Sequence, residues 1–312
     1  MKEFNGREVV VTGGAGFIGS NLCKKLVELG SKVTVIDNLY SGSTERIQDL
    51  MENGLKFVQK DIREKEAIQE ATKKCKTIFH LAAQTSVPFS MVNPQEDSEI
   101  NVIGTLSVLE AARKAGARVV FASSSAVYGN PQEKPTPETA EPNPIAFYGL
   151  TKLLGEHYCS FYHKTYGLET VMFRIFNVYG PNCQGVIYDF LNKLKKDPHK
   201  LEVLGTGRQS RDFVYVDDLV NALLRAAITP EASGHAFNVG TGSTTSVTDL
   251  ANLIVKILGF EDVDIYFKGG KAWEGDMDIT LADNSKAKKI LKWTPQVSIE
   301  EGLKKIISSK RY

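Results

Sequence analysis

A chain of 312 residues can bury about three quarters of the surface its unfolded form exposes, so its core needs no disulfide or metal staples. Its 38 basic and 37 acidic residues nearly cancel, to a net charge of +1, and form no block of one sign, so composition gives no support to nucleic acid or a membrane as partner. Cys23, Cys75, Cys159 and Cys183 are scattered without CxxC spacing and apart from the five histidines; with a polar start and no apolar run of about 20 residues, they predict a cytoplasmic protein with free thiols, no metal and no membrane span.

Residues 8–12, around Val9-Val10-Val11, read as the first strand, and Thr12-Gly13-Gly14-Ala15-Gly16-Phe17-Ile18-Gly19 follows, opening a helix over 19–29. That strand, turn and helix seat a dinucleotide pyrophosphate. Gly13 and Gly14 make the tight turn, Gly16 admits the phosphates, and Gly19 lets helix and strand pack closely. The helix N-terminus adds unpaired N–H groups and partial positive charge. A second strand, 32–37, ends in Asp37, whose carboxylate accepts hydrogen bonds from a free ribose 2′-hydroxyl and repels a 2′-phosphate. Asn38-Leu39-Tyr40-Ser41-Gly42 brings no arginine, and Arg46 lies further on, so NAD is the expected cofactor rather than NADP.

Strand patterns recur at 55–59, 77–80, 118–122 and 169–175, alternating with helical patterns at 64–73, 96–114 and 147–166. The expected class is α/β, a Rossmann doubly wound parallel sheet with ligands beyond the carboxyl ends of its strands. The proline-rich stretch 130–144 reads as a loop bordering the site. Beyond residue 175 the pattern loosens, with loops at 178–185, 205–212 and 268–280. This predicts a NAD-binding domain over 1–176 and a smaller C-terminal substrate-binding lobe over 177–312, interleaved with further Rossmann elements near 211–240.

Tyr148 and Lys152 stand four residues apart on one face of the 147–166 helix, a spacing that chance also produces. Upstream, Ser123-Ser124-Ser125 leaves the fifth strand at the edge where ligands sit. With these three features at one sheet edge, the chain resembles the extended short-chain dehydrogenase/reductase family. Within it the likeness is to the NAD-dependent nucleotide-sugar epimerases and dehydratases, and most closely to the UDP-glucose (UDP-galactose) 4-epimerases. The likeness spans nearly the whole chain. It continues through Asp61-Ile62, His80-Leu81-Ala82-Ala83, Asn101-Val102-Ile103-Gly104-Thr105, Arg174-Ile175-Phe176-Asn177, Arg211-Asp212-Phe213, Gly275-Asp276 and Ala282-Asp283-Asn284.

The resemblance implies Tyr148 as general base, Lys152 as the cation that lowers its pKa and holds the nicotinamide ribose, and Ser124 as the hydroxyl that bonds the reacting sugar oxygen. Ser123 and Ser125 are read as strand-end hydroxyls satisfying local backbone. It implies NAD contacts at Gly13, Gly16, Phe17, Ile18, Gly19, Asp37, Asn38, Ser41 and Gly42, then at Asp61, Ile62, Leu81, Ala82, Ala83, Asn101 and Phe176. For a UDP-hexose it implies Ser86, Asn177, Val186, Val203, Arg211, Asp276 and Thr280.

Departures from the pattern sort the subfamilies. Sugar 4,6-dehydratases carry Thr-Asp-Glu where this chain has Ser124-Ser125-Ala126, and UDP-glucuronate decarboxylases usually carry Glu at the position of Ala126. Without those carboxylates, oxidation and return at C4 is expected, a 4-epimerase of UDP-glucose and UDP-galactose, with UDP-glucuronate or another nucleotide sugar as alternative substrate. A non-catalytic NAD sensor is disfavoured because Tyr148, Lys152 and Ser124 are all kept. Trp273 stands where epimerases commonly have a second diphosphate arginine, with Lys268 and Lys271 nearby. Thr280 stands where a tyrosine is associated with hexose-only enzymes, so room for an N-acetyl group is expected beside it, equally with simple local packing. The family also implies a homodimer pairing the 96–114 and 147–166 helices, where Leu106, Leu109, Leu153 and Leu154 fit either interface or core.

Overall fold

The structure, a computed structural model, describes residues 1–270 and 277–309. Its centre is built by the apolar runs. β1 (Glu8–Thr12), β2 (Lys32–Asp37), β3 (Lys56–Gln59), β4 (Thr77–His80), β5 (Arg118–Ser124) and β6 (Thr170–Ile175) form one parallel sheet, with His235–Val239 added beside β6. The order is His235–Val239, β6, β5, β4, β1, β2, β3. β4 and β6 are buried throughout and β1 and β5 nearly so, which is why they read as continuous apolar runs rather than alternating ones. Successive side chains still point to opposite faces. Val9 and Val11 pack with the Phe17–Glu28 and Val216–Ile228 helices, while Val10 packs on the other side with Val108, Leu109 and Cys159.

Chain order runs outward from β1 to β3 on one side and from β4 to β6 on the other, so the crossovers diverge between β1 and β4. A crevice opens there at the carboxyl ends of the strands. The expected strands all form, within two residues of their expected ends. The helix expected over 96–114 forms without a gap, but with a π turn inside it. It is Pro94–Ser98, a wide π turn Glu99–Ile103, and Gly104–Ala115. The wide turn swings Asn101 inward to the loop after β4, and Gly104 passes Ile62 so closely that a Cβ there would lie 2.4 Å from its side chain.

Beyond β6 the chain makes small pairings. Asn177–Tyr179 runs parallel to Phe213–Tyr215, Lys200–Val203 parallel to Asp264–Phe267, and Ser210–Arg211 antiparallel to Thr245–Ser246. The helices Val186–Lys196, Val247–Leu258 and Ile299–Ser309 cover them, and Leu194, Ile254 and Leu303 join the same apolar core as Val9 and Phe173. Among the described residues no helix is long and apolar enough to cross a membrane.

His80, at the end of β4, sits between the Thr12 hydroxyl (2.8 Å from Nδ1) and the Thr105 hydroxyl (3.0 Å from Nε2) and is 1% exposed. Burial, reinforced by the Lys152 charge, pushes its pKa down to about 3. The folded ring therefore stays neutral where an unfolded one takes up a proton, so stability is lost as pH falls from 6.5 towards 3. His80→Gln cannot protonate and should flatten that acid limb, measured as unfolding free energy from denaturant titrations at a series of pH values.

Candidate active site

The crevice is a cleft of about 480 Å³. The glycine turn forms one wall. Gly13 has φ +72, and a Cβ there would lie 2.7 Å from the Ala82 nitrogen; a Cβ on Gly19 would lie 2.1 Å from the Gly13 carbonyl oxygen. Gly16 caps the Phe17–Glu28 helix, and Phe17 and Ile18 form its first turn on the cleft wall, where a helix start leaves N–H groups without intrahelical partners. Ser41, Ile62, Leu81, Ala82, Ala83 and Phe176 also face the cleft.

Asp37 is at the carboxyl end of β2, on the cleft wall and 8% exposed. Its Oδ2 accepts from the Ala15 N–H (3.0 Å) and its Oδ1 from Leu39 (2.8 Å), so one carboxylate both fixes the glycine turn and faces the space beyond it. Asn38 donates to Asp61 Oδ2 (2.9 Å), and the Arg63 guanidinium bonded to Asp61 at 2.8 Å helps hold that carboxyl down at about 2. A cradle that closes on any Cβ, a helix start and a ribose-height carboxylate fit a dinucleotide.

At the other end, Ser124, Tyr148 and Lys152 line the same cleft. Ser124 ends β5 and its Oγ accepts from the Ala126 N–H (3.2 Å), turning the chain into a short 3-10 segment. Tyr148 starts the long helix Phe147–Tyr166, and its N–H donates to Ser90 Oγ (3.1 Å). Burial pushes the phenol up to about 12 against a hydrogen bond with the Ser124 side chain. Lys152 is 3% exposed, with its ammonium 5.0 Å over the Phe121 ring; burial pushes it down to about 8, with Asp97, Cys159 and Glu156 pulling the other way. In the chain by itself, burial dominates both groups.

Several expected ligands lie off the wall. Asn101 is 2% exposed; its Oδ1 accepts from Gln84 N–H (2.9 Å) and its Nδ2 donates to Gln84 O, Asp97 Oδ1 and Thr151 Oγ1, so it braces the loop after β4 instead of facing the cleft. Ser86 caps the Val87–Val92 helix, accepting from Phe89 N–H at 3.3 Å. Gly42 packs on Ala15, behind the turn. Val203 is fully buried in the core, and Val186 packs against that core. Arg211, 7% exposed, donates to Ser210 O (2.9 Å) and Asp278 O (3.2 Å). Thr280 is 5% exposed, and its hydroxyl is bonded on both sides, donating to Asn177 Oδ1 (3.2 Å) and accepting from Asp212 N–H (3.3 Å), so it has no proton left for an acetamido carbonyl. Asn177 itself lines the cleft. Lys268 is paired with Glu202 at 3.2 Å. Lys271, Trp273, Gly275 and Asp276 lie outside the described residues.

A family model described as "NAD dependent epimerase/dehydratase family" matches residues 9–240. The chain belongs to that family. NAD is its cofactor. The chain is 38% identical over 308 residues to the UDP-glucose 4-epimerase of Mycolicibacterium smegmatis, covering 96% of each. Its fold matches the Thermotoga maritima UDP-glucose 4-epimerase solved with UDP-glucose, at TM-score 0.91 and 37% identity over 97% of this chain and 98% of that one. It also matches the Bacillus cereus UDP-glucuronic acid 4-epimerase in complex with UDP-glucuronic acid and NAD, at TM-score 0.89 and 31% identity over 97% and 99%.

Sequence reasoning missed two features of this epimerase/dehydratase site. Asp97 is fully buried between the loop after β4 and the long helix, accepting from Gln84 Nε2 (2.7 Å), Asn101 Nδ2 (3.2 Å) and Thr151 Oγ1 (2.7 Å); no local motif marks a carboxylate two of whose three partners lie 13 and 54 residues away. Arg46, expected away from the site, lines the cleft, with Nη1 3.4 Å from Ala15 O. Among the described residues no cluster of His, Cys, Asp and Glu could hold a metal ion. Gly19→Ala should push the first helical turn off the Gly13 carbonyl. Purified protein is then expected to lose its bound NAD on gel filtration, measured by absorbance of the released nucleotide, and Gly19→Ala retaining NAD stoichiometrically would refute this account of the cradle.

Proposed function

We propose that this chain is a 4-epimerase of UDP-glucose and UDP-galactose, acting by transient oxidation at C4. The carrying observation is what surrounds Ser124, Tyr148 and Lys152. Ser125 and Ala126 bring no carboxylate, and Asp97 and Glu156, the carboxylates acting on Lys152, are buried and bonded to other side chains. Elimination of water needs a carboxyl acid and base free to meet the sugar. This site offers a phenol, an ammonium and a hydroxyl, which suits moving one proton on one oxygen.

In this reading Tyr148 takes the 4-hydroxyl proton and returns it, Ser124 bonds the same oxygen, and Lys152 holds the nicotinamide ribose. NAD, when bound, supplies hydride exchange at C4 and a positive charge that favours the phenolate. Asn177 meets the diphosphate from the cleft wall. The cofactor is assigned mainly to residues 1–176 and the sugar nucleotide to the lobe 177–312.

A proton NMR screen against UDP-glucose, UDP-galactose, their N-acetyl forms and UDP-glucuronate tests this. Interconversion of the first two, with C4 deuterium kept on the sugar and no NADH accumulating, is expected. Turnover of UDP-glucuronate alone, or stoichiometric NADH release, would overturn it. Tyr148→Phe keeps the ring and should fold and bind NAD normally while turnover falls roughly 10²–10⁴-fold, the usual scale of general base catalysis.

We further infer a homodimer through the long helix. Phe147, Leu150, Leu154 and Phe161 are each at least 37% exposed and recur on one helical face, with Ile103 of the wide turn 48% exposed; Leu109 is in the core. Light scattering at micromolar concentration should give twice the chain mass. A monomer there would refute the pairing.

A further inference from the structure

Thr280 is placed to do something other than limit sugar size. Its backbone is fixed first. Ser210 N–H donates to Asp278 O (2.9 Å) and Thr280 N–H donates to Ser210 O (3.0 Å), laying the 278–280 segment against the strand Ser210–Arg211. The next residue of that chain, Asp212, is a buried hub. Its Oδ1 accepts from the Thr241 N–H (2.6 Å) and Oγ1 (2.7 Å), and its Oδ2 from Gly242 N–H (3.0 Å) and Ala282 N–H (3.1 Å). A carboxylate taking several N–H groups makes charge-assisted bonds, and here they clamp the far side of residues 280–282 to Asp212.

Three contacts then close a ring around one amide. Asn177 N–H donates to Asp212 O (3.1 Å), Asp212 N–H donates to Thr280 Oγ1 (3.3 Å), and Thr280 Oγ1 donates to Asn177 Oδ1 (3.2 Å). A hydroxyl has one proton. Thr280 receives the Asp212 N–H and gives its own proton to the Asn177 carbonyl oxygen. That fixes the amide with its oxygen inward, leaving the NH₂ donor as the end that serves the cleft Asn177 lines. An inverted amide would present an oxygen to an anion.

We propose that Thr280 is a positioning residue for the nucleotide diphosphate: its hydroxyl holds Asn177 in the orientation that donates to phosphate oxygen. The proposal rests on the reading of Asn177 as a diphosphate ligand. It makes Thr280 matter equally for every sugar carried, because the group it serves is not part of the sugar.

UDP itself, which carries the diphosphate and no sugar, is the probe, titrated calorimetrically into NAD-loaded protein. Thr280→Val keeps the shape and removes the hydroxyl, and should weaken UDP roughly three- to tenfold, the scale of one hydrogen bond between neutral groups. Thr280→Ser keeps the hydroxyl and should bind like the parent. Asn177→Ala should weaken UDP on its own, and Thr280→Val added to it should cost nothing more, since its effect passes through the missing amide. The KM of UDP-glucose should rise with Thr280→Val while kcat changes little, and the preference between UDP-glucose and UDP-N-acetylglucosamine should not move. If Asn177→Ala binds UDP normally, the diphosphate reading of Asn177 fails. If Asn177→Ala weakens UDP but Thr280→Val does not, or if the two losses add, the positioning role of Thr280 fails. A change in sugar preference with unchanged UDP affinity would make Thr280 a size gate after all.

Discussion

A buried ion pair between β6 and the long helix keeps the parts of this site in register. Arg174 donates from Nε and Nη2 to the Glu156 carboxylate at 2.8–3.1 Å, and both residues are under 10% exposed. Glu156 also accepts from Ser123 Oγ (2.5 Å), next to Ser124, and sits one helical turn beyond Lys152. On its other side Arg174 donates from Nη1 to the Tyr128 hydroxyl (2.9 Å) and to Glu138 O (3.0 Å), and Tyr128 donates to Asn238 Oδ1 (2.7 Å) on the edge strand. Burial works against the guanidinium charge, but Glu156 and Tyr128 more than offset it. Such a pair adds little net stability over an apolar pair of the same shape, yet losing one partner costs roughly 3–5 kcal/mol. What it contributes is geometry: the end of β5 and the start of the long helix cannot shift independently.

That rigid frame also buries two titratable groups of the site. Burial moves the phenol of Tyr148 up to about 12 and the ammonium of Lys152 down to about 8, so their pKa values move apart and near neutral pH the phenol keeps its proton while the amine keeps its charge. Asp97 acts on both: its negative charge favours the Lys152 ammonium and disfavours the Tyr148 phenolate. The Thr12–His80–Thr105 chain below stays neutral, so it adds no competing charge. Groups buried this way respond strongly to a further charge entering the cleft, because little water remains to screen it.

Much of this was legible in the residues. Valine runs set the strands, and the glycine turn and Asp37 set the dinucleotide cradle, because each depends on backbone freedom or on a group within one βαβ unit. Ser124, Tyr148 and Lys152 were marked by the family resemblance, since a Tyr–Lys pair at this spacing also arises by chance. The π turn at Glu99–Ile103 escaped because its apolar periodicity continues as in an α-helix, and the inward pull on Asn101 comes from Gln84 and Thr151. Arg46 escaped because a short 3-10 turn carries it back over Ala15.

The 177–309 region divides the two kinds of information most clearly. Its sequence contains Asn177, Arg211 and Thr280 in the order the family pattern requires, and that order marks them as a substrate-side set. Which of them meets the cleft is a matter of short pairings between segments 30 to 100 residues apart, such as Asn177 with Phe213 and Ser210 with Ile279. Those pairings turn Asn177 to the cleft, lay Arg211 along the Asp278 carbonyl and bury Thr280 behind Asn177. The sequence by itself determined the sheet and the cofactor, because periodicity and glycine placement act over a few residues. Only the tertiary structure decided which side chains line the cleft and which hold the others, because those contacts join segments far apart in the chain.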